Sequence, residues 1–102
     1  MNGIKFDSQL ECEFYKELKL LEKAKQISNL KLQVPFILQE GYTNANGKKI
    51  QPIKYIADFT YEENGKLVVV DVKSKATKTQ VYLIKKKLFE KRYNLCIKEL
   101  TR

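Results

Sequence analysis

Several residue types that serve common enzyme chemistry are absent from this chain or scarce in it. It contains no histidine and no tryptophan, and its two cysteines are Cys12 and Cys96. Because there is no imidazole, and no serine or cysteine is paired with a base, a covalent or histidine-based catalytic mechanism is disfavoured. The two thiols are far apart and lack the spacing of metal ligands. We therefore expect ordinary buried cysteines in a reducing compartment.

Long apolar runs and low-complexity segments are also missing. No signal peptide and no run of about eighteen apolar residues is present, so the sequence predicts a soluble, cytoplasmic protein. No internal repeat or linker divides the 102 residues, and a chain of this length can bury one core. We expect a single domain over residues 1–102.

Acidic side chains are too few to balance the basic ones. Twenty Lys and Arg residues stand against twelve Asp and Glu, which gives a net charge of +8. A basic surplus of this size favours a polyanionic partner. Nucleic acid is favoured over an anionic membrane, because no strongly amphipathic basic helix stands apart from the rest of the pattern.

Apolar periodicity predicts an α/β domain with the element order αβββαβ. Helices are expected from Ser8 to about Gln26 and from about Lys78 to Tyr93, each opened by a capping box. The boxes are Ser8 with Glu11 and Thr77 with Gln80. The predicted strands are Leu30 to Gln39, with Pro35 at an edge or bulge, Ile53 to Glu62, Leu67 to Lys73, and a parallel last strand, Leu95 to Leu100. The stretch Glu40 to Lys49 is expected to be a turn or flexible loop.

The most informative segment is a predicted β-hairpin. Asn64-Gly65 between two runs rich in β-branched and aromatic residues is the strongest short-range signal for a two-residue turn. That turn would place Asp58 opposite Asp71, with their Cβ atoms roughly 4.5 to 5.5 Å apart. Lys73 would project from the same sheet face as Asp71, because side chains alternate along a strand.

Two facing aspartates require an explanation, because like charges directly opposed on a strand pair are destabilising. Mg²⁺ supplies one, since it is typically held by one or two carboxylates with waters and phosphate oxygens. The alternative is a solvated hairpin whose acids are paired with lysines. The run Leu67 to Val72 favours the metal, because apart from Asp71 it is apolar on both faces, as in a central strand covered on both sides.

Both helices carry charges near their apolar faces. Glu11 borders the buried face of the first helix, either as half of the capping box or as a carboxylate that reaches a metal on the sheet. Lys78, Lys85 and Arg92 recur every seven residues on the second helix and face the core unless they snorkel to its margin. The outward lysines form a solvated face or meet phosphates, and they are Lys86, Lys87 and Lys91.

These residues together carry a resemblance to the PD-(D/E)xK nuclease superfamily. The strings FDSQLECEFYKELKLLEKA, KYIADFTYEENGKLVVVDVKS and TQVYLIKKKLF are similar to a family of small phage and prophage endonuclease-like proteins within it. The resemblance implies a restriction-endonuclease-like αβββαβ core with a mixed sheet, Mg²⁺- or Mn²⁺-dependent cleavage of DNA, and relatives that include Holliday junction resolvases. It assigns catalytic roles to Glu11, Asp58, Asp71, Lys73 and Lys85.

Two positions depart from the pattern of that superfamily. Ala57 precedes Asp58 where the motif's name has proline, and Asp71 replaces the commoner glutamate. Neither departure removes a charge that the chemistry needs. The roles that follow are Asp58 and Asp71, with the Val72 carbonyl and Glu11, as Mg²⁺ ligands, Lys73 at the attacking water and the phosphate, and Lys85 at a phosphate oxygen.

Other basic residues are expected to hold the DNA, and two other function classes remain open. The expected DNA contacts are Lys75, Lys78, Lys86, Lys87 and Lys91. A non-catalytic basic DNA-binding module explains the net charge equally well, and a structural or inhibitory phage protein with a degenerate nuclease fold is the other alternative. Because a resolvase nicks two strands symmetrically, we expect a homodimer, with the first strand and the loop near Tyr42 as its contact surface.

Overall fold

The computed structural model describes residues 9–73 and 78–101. Within these ranges the chain is a single small α/β domain with two helices and a mixed central sheet of four strands, which confirms the predicted fold class. The elements are α1 (Gln9–Lys23), β1 (Ser28–Gln39), β2 (Tyr42–Thr43), β3 (Lys49–Ile50), β4 (Ile53–Glu63), β5 (Lys66–Val72), α2 (Gln80–Tyr93) and β6 (Ile97–Leu100).

The central sheet has the strand order β1-β4-β5-β6. Strand β4 is antiparallel to both of its neighbours, β1 and β5. Strand β6 is parallel to β5, as the sequence predicts. Strand β1 lies at an edge and carries register shifts near both of its ends. The edge position offered for Pro35 is therefore confirmed, and β1 begins two residues earlier than predicted.

Helix α1 ends earlier than the apolar pattern predicts. The Gln26 amide donates to the Leu21 carbonyl at 2.9 Å, and the Lys25 amide donates to the Glu22 carbonyl at 3.0 Å. These bonds form a Schellman turn around Lys25, whose φ is 62°. Lysine rarely occupies this left-handed position, so the sequence carries no stop signal there. Ser8 of the predicted capping box lies outside the described residues.

The segment predicted as a turn or loop after β1 does contain a turn, flanked by a short antiparallel pairing of β2 with β3 that was not predicted. The Asn44 side chain accepts hydrogen bonds from the backbone amides of Asn46 and Lys48, both at 3.0 Å. Gly47 supplies a φ of 80°, which closes the turn. This segment is therefore an ordered turn that is closed by hydrogen bonds to the Asn44 side chain.

The predicted Asn-Gly hairpin is confirmed. Asn64 and Gly65 have φ values of 53° and 76°, as a type I′ turn requires. The predicted register holds from Glu63↔Lys66 to Phe59↔Val70, where the recorded pairing ends. Asp58 and Asp71 are therefore not backbone partners. The Val72 amide instead donates to the Asp58 carboxylate at 2.8 Å, which takes the place of the next ladder bond.

Helix α2 begins at Gln80, two residues later than predicted, with Thr79 as its N-cap. The Thr79 hydroxyl accepts a hydrogen bond from the Tyr82 amide at 3.1 Å. Thr77, from which a capping box was predicted, lies outside the described residues. Asn94 ends the helix in a left-handed conformation, and β6 starts at Ile97, two residues late. Cys96 in this connection is exposed and Cys12 is half-buried, so the expectation of buried cysteines is wrong for Cys96.

The core divides into two clusters, one on each side of the sheet. The first cluster packs under α1 and contains Phe14, Leu18, Ile27, Phe59, Tyr61, Val70 and Val72. The second packs under α2 and contains Leu38, Tyr55, Ala57, Val69, Tyr82, Phe89 and Ile97. Within these sets Ala57 and Phe59, two residues apart on β4, lie in different clusters.

That change of side breaks the usual alternation of a strand, in which residues two apart share a face. Strand β1 changes with it. Leu32 pairs with Phe59 and Val34 pairs with Ala57, so Gln33 stands between these pairs as Asp58 does on β4. Gln33 has a φ of 51°, a left-handed conformation that turns the strand. Asp58 therefore occupies the point at which β4 passes from one core cluster to the other.

Candidate functional site

Two side chains contact the carboxylate of Asp71, one at each oxygen. Its side chain is buried, and the residue is only 3% exposed. The Tyr55 hydroxyl donates a hydrogen bond to Asp71 Oδ2 at 2.5 Å. Lys73 Nζ lies 3.0 Å from the other oxygen, Oδ1. Oδ1 is buried and makes no well-directed hydrogen bond among the described residues. Lys73 therefore balances the charge of the Asp71 carboxylate but leaves Oδ1 able to accept further hydrogen bonds or to bind a cation.

Asp58 lies beside Asp71 and has a strongly perturbed pKa. The pKa of Asp58 is raised to about 6, chiefly because the carboxyl is removed from water. The charge and hydrogen-bonding contact of Glu11 also raise this pKa, whereas the hydrogen bond from the Val72 amide and the contact with Asp71 lower it. Burial also raises the pKa of Asp71, with the negative charge of Asp58 acting in the same direction and Tyr55 and Lys73 opposing it. Each carboxylate thus lies close enough to affect the pKa of the other, although their backbones are not paired.

Glu11 reaches this pair from α1, as its position on the helix predicts. It is 5% exposed, and its charge contributes to the raised pKa of Asp58. Gln33 Nε2 donates a long hydrogen bond of 3.4 Å to Glu11 Oε1. Glu11 of α1 and Asp71 of β5 thus each lie close to Asp58 of β4.

Lys73 lies between Asp71 and an aromatic ring. Its ammonium is 4.0 Å from the centroid of the Tyr82 ring, which is a cation–π contact. The Lys73 amide donates to the Leu100 carbonyl at 2.9 Å and extends the β5–β6 pairing by one bond. The side chain is only 16% exposed, so backbone, acid and ring together restrict where its charge can lie.

An open cleft of about 300 Å³ gives access to Asp58, Asp71 and Lys73. The half-buried Lys85 lines it from α2, close to the position expected of a core-facing lysine. Lys54 of β4 is a further basic residue in the wall that the sequence analysis did not single out. Acids and lysines therefore face one cleft, an arrangement that can hold both a cation and an anion.

A second polar cluster next to the cleft changes the interpretation of two predicted DNA contacts. Glu99 of β6 accepts a hydrogen bond from the Tyr82 hydroxyl at 2.6 Å. It also pairs with Lys78 Nζ at 3.2 Å and with Lys86 Nζ at 3.4 Å. The prediction that Lys86 faces outward is wrong, because the side chain turns toward β6 and is half-buried. These contacts hold the pKa of Glu99 below its usual value.

The remaining predicted basic residues have separate locations. Lys87 and Lys91 are exposed on α2. Arg92 Nη1 donates to the Leu38 carbonyl at 3.2 Å, and Nη2 pairs with Glu40 at 2.8 Å, so its side chain does reach the helix margin. Lys75 lies outside the described residues.

Sequence reasoning missed Tyr55, Tyr82 and Glu99. Both tyrosines read as core aromatics, which they are, but each also directs a hydroxyl to a carboxylate. The available signal is that a buried tyrosine hydroxyl usually finds a hydrogen-bond partner. Glu99 could have been found only from the parallel register that places it beside Asp71.

The donors in the cleft suit a hard divalent cation. Carboxylate oxygens are the ligands that Mg²⁺ prefers, and Asp71 Oδ1 is a buried oxygen with an incomplete set of bonds. Within residues 9–73 and 78–101, no three His, Cys, Asp or Glu side chains form a ready-made metal cage. Asp71, with Asp58 beside it, offers the one or two carboxylates with which Mg²⁺ is usually bound.

Comparison with known proteins identifies a family. The family described as "Protein of unknown function (DUF1064)" matches residues 1–100, and the chain belongs to this family. No curated protein matches the chain. Neither described helix has the length and apolar character needed to cross a membrane.

Proposed function

We propose that this member of the DUF1064 family is a metal-dependent DNA endonuclease that hydrolyses phosphodiester bonds. The observation that carries the proposal is the buried Asp71 beside Asp58, with Lys73 at 3.0 Å, facing an open cleft. Burying carboxylates near each other is unfavourable, as the raised pKa values of Asp58 and Asp71 indicate. A bound cation would remove that penalty, and perturbed groups in a cleft are typical of functional sites.

The residues of the cleft, with Glu11 and Val72 beside them, have distinct roles in this proposal. Asp58 and Asp71 would hold Mg²⁺ or Mn²⁺, with Glu11 and the Val72 carbonyl as further oxygen donors. When bound, the ion supplies Lewis-acid polarisation of the scissile phosphate. Lys73 directs its ammonium toward the attacking water and the phosphate, while Asp71 and the Tyr82 ring keep it in place. Lys85 neutralises a phosphate oxygen from the helix side.

The resemblance to PD-(D/E)xK nucleases supports this assignment. That superfamily uses an αβββαβ core with the acids on the central hairpin, and here the acids lie on β4 and β5. Its small phage relatives and junction resolvases favour branched DNA as the substrate and a phage or prophage protein acting in the host cytoplasm. The net charge of +8 favours DNA as the partner.

A homodimer would suit a branched substrate, because two active sites related by a two-fold axis can nick two strands symmetrically. The surface we favour is the edge strand β1 with Tyr42, whose side chain is exposed on the neighbouring hairpin. Sedimentation at micromolar concentration, alone and with a four-way junction, tests this part. A strict monomer in both conditions that cuts junctions no better than duplex would make the enzyme a general endonuclease.

A non-catalytic DNA-binding module is the second candidate. It is favoured by one observation, namely that Asp71 already has the hydroxyl of Tyr55 and the ammonium of Lys73 as partners. An acid balanced in this way does not require a metal. Such a module would bind DNA equally well in Mg²⁺ and in EDTA and would cleave in neither.

A cleavage panel separates the two candidates. The substrates are a four-way junction, a flap, linear duplex and single strand, each with Mg²⁺, Mn²⁺ or EDTA. The nuclease proposal predicts cleavage that EDTA abolishes and that Asp58→Asn removes. Glu63→Gln, which neutralises an exposed acid at the far end of the same strand, is the matched control and should cut normally. Binding without cleavage under every condition would favour the module.

A further inference from the structure

The Tyr55 hydroxyl fixes the orientation of the Asp71 carboxylate. Its hydrogen bond to Oδ2 is 2.5 Å long, and Tyr55 is 3% exposed, so water does not compete for the contact. The Tyr55 ring is itself held edge-on against Phe89, with centroids 5.5 Å apart, and stacks on Phe36 at 6.5 Å. A donor on so restricted a ring cannot follow the carboxylate if the latter turns.

The two oxygens of Asp71 are therefore not equivalent. Oδ2 is occupied by Tyr55, whereas Oδ1 has Lys73 at 3.0 Å and lacks a well-directed hydrogen bond within the described chain. The terminal torsion of an aspartate is broad and has little preference of its own. The Tyr55 contact is consequently what decides which oxygen an ion would meet.

We infer that Tyr55 determines ion specificity, because it limits Asp71 to a single ligand oxygen and thereby favours Mg²⁺ or Mn²⁺ over Ca²⁺. Ca²⁺ takes six to eight oxygens and accepts both oxygens of one carboxylate, whereas Mg²⁺ demands near-octahedral geometry and keeps several waters. A carboxylate offering one oxygen suits the smaller ion. Tyr55 acts through Asp71 and is a positioning residue; the inference rests on the proposed metal-dependent function.

The test measures ion binding in the absence of DNA. MgCl₂ and CaCl₂ are titrated separately into the protein and followed by amide NMR, with the Val72 amide as reporter because it donates to Asp58 at 2.8 Å. Tyr55→Phe removes the hydroxyl and keeps the ring. Tyr93→Phe is the matched control, since it deletes a hydroxyl that donates to the Ile37 carbonyl at 2.8 Å and whose ring also packs on Phe36 and Phe89.

We expect the wild-type protein and Tyr93→Phe to bind Mg²⁺ more tightly than Ca²⁺. Losing a partner that orients a metal ligand typically costs about 10- to 100-fold in metal affinity. Because the Tyr55→Phe loss should fall mainly on Mg²⁺, the ratio of the two affinities should fall about tenfold. An unchanged ratio in Tyr55→Phe overturns the inference, and so does a wild-type protein that binds neither ion or shows no preference. Cleavage of DNA is scored separately, so a nuclease with these outcomes would keep its proposed function.

A second measurement needs no variant. A tyrosine hydroxyl proton in so short a bond to a buried carboxylate should give a separate, slowly exchanging proton signal in the wild-type protein. Saturation with Mg²⁺ should leave that signal in place, because the ion uses the other oxygen. Its loss on Mg²⁺ binding would overturn the inference even if Tyr55→Phe failed to fold.

Discussion

The two sides of the central sheet differ in the chemistry of their buried side chains. Under α1 the core is almost wholly apolar, built from residues such as Phe14, Leu18 and Phe59, and Glu11 is the buried acid that this helix adds. Under α2 two core tyrosines donate hydrogen bonds to acids, Tyr55 to Asp71 and Tyr82 to Glu99. The α1 side is suited to stability and the α2 side to chemistry. The following substitutions test that division.

The largest expected effect is loss of cleavage in Asp71→Asn. Removing this carboxylate should lower the cleavage rate by at least about a hundredfold, the scale of deleting one charge-stabilising group from an active site. The free energy of unfolding in EDTA should stay equal or rise, because the raised pKa of Asp71 means that its charge opposes folding. Cleavage assays and urea unfolding measure the two quantities. Normal cleavage by this variant would remove Asp71 from the site.

Leu18→Ala should show the opposite profile. Leu18 is 6% exposed under α1 and away from the cleft, so truncation should cost about 2 to 5 kcal/mol of unfolding free energy. Cleavage per folded molecule, measured well below the melting temperature, should be unchanged. A rate loss in the fully folded variant would show that the α1 side contributes more than stability.

Lys73→Ala sharpens the comparison within the α2 side. We expect a loss of roughly a hundredfold in turnover with DNA affinity largely kept, because one of many positive charges is deleted. The double variant Lys87→Ala with Lys91→Ala is the counterpart, since both lysines are exposed on α2. It should weaken binding and flatten its salt dependence with little effect on the rate of the bound complex. Equal behaviour of the two variants would make Lys73 only another phosphate contact.

The smallest effect is a pH dependence of stability in metal-free buffer. The pKa of Asp58 is raised from 3.8 to about 6, so its folded form prefers the proton. Its contribution to stability is greatest below about pH 4 and is lost as the pH rises through about 6. After allowance for solvent contact, the loss should be about 1 to 2 kcal/mol. Urea midpoints of wild type and Asp58→Asn between pH 4 and pH 7 should diverge as pH rises; parallel curves would contradict the assignment.

The sequence predicted the features that depend on neighbouring residues. The Asn64-Gly65 turn, the edge position of Pro35 and the buried border position of Glu11 follow from local backbone preference and periodicity, and the structure confirms them. Because turn and alternation are local, the proximity of Lys73 to Asp71 was also within reach. The catalytic roles assigned to these residues remain predictions.

The features that the sequence did not reveal depend on contacts between distant segments. The helical pattern predicts that Lys86 faces outward, but β6 places Glu99 beside α2, where it pairs with this lysine. No local sequence pattern specifies that contact. Lys25 ends α1 without the glycine that usually marks such a turn. The role of the Tyr55 hydroxyl could not be predicted from apolar periodicity, because the aromatic ring alone accounts for a core position.

The passage of β4 from one side of the sheet to the other at Asp58 bears on the cooperativity of folding. Tyr55 and Ala57 belong to the cluster under α2, and Phe59 and Tyr61 belong to the cluster under α1, so one strand is common to both cores. Loss of packing in either cluster would displace β4, and this strand also carries residues of the other cluster. A partly unfolded intermediate that keeps the acids assembled is therefore disfavoured, and the backbone amides around Asp58 should exchange with solvent only through global unfolding.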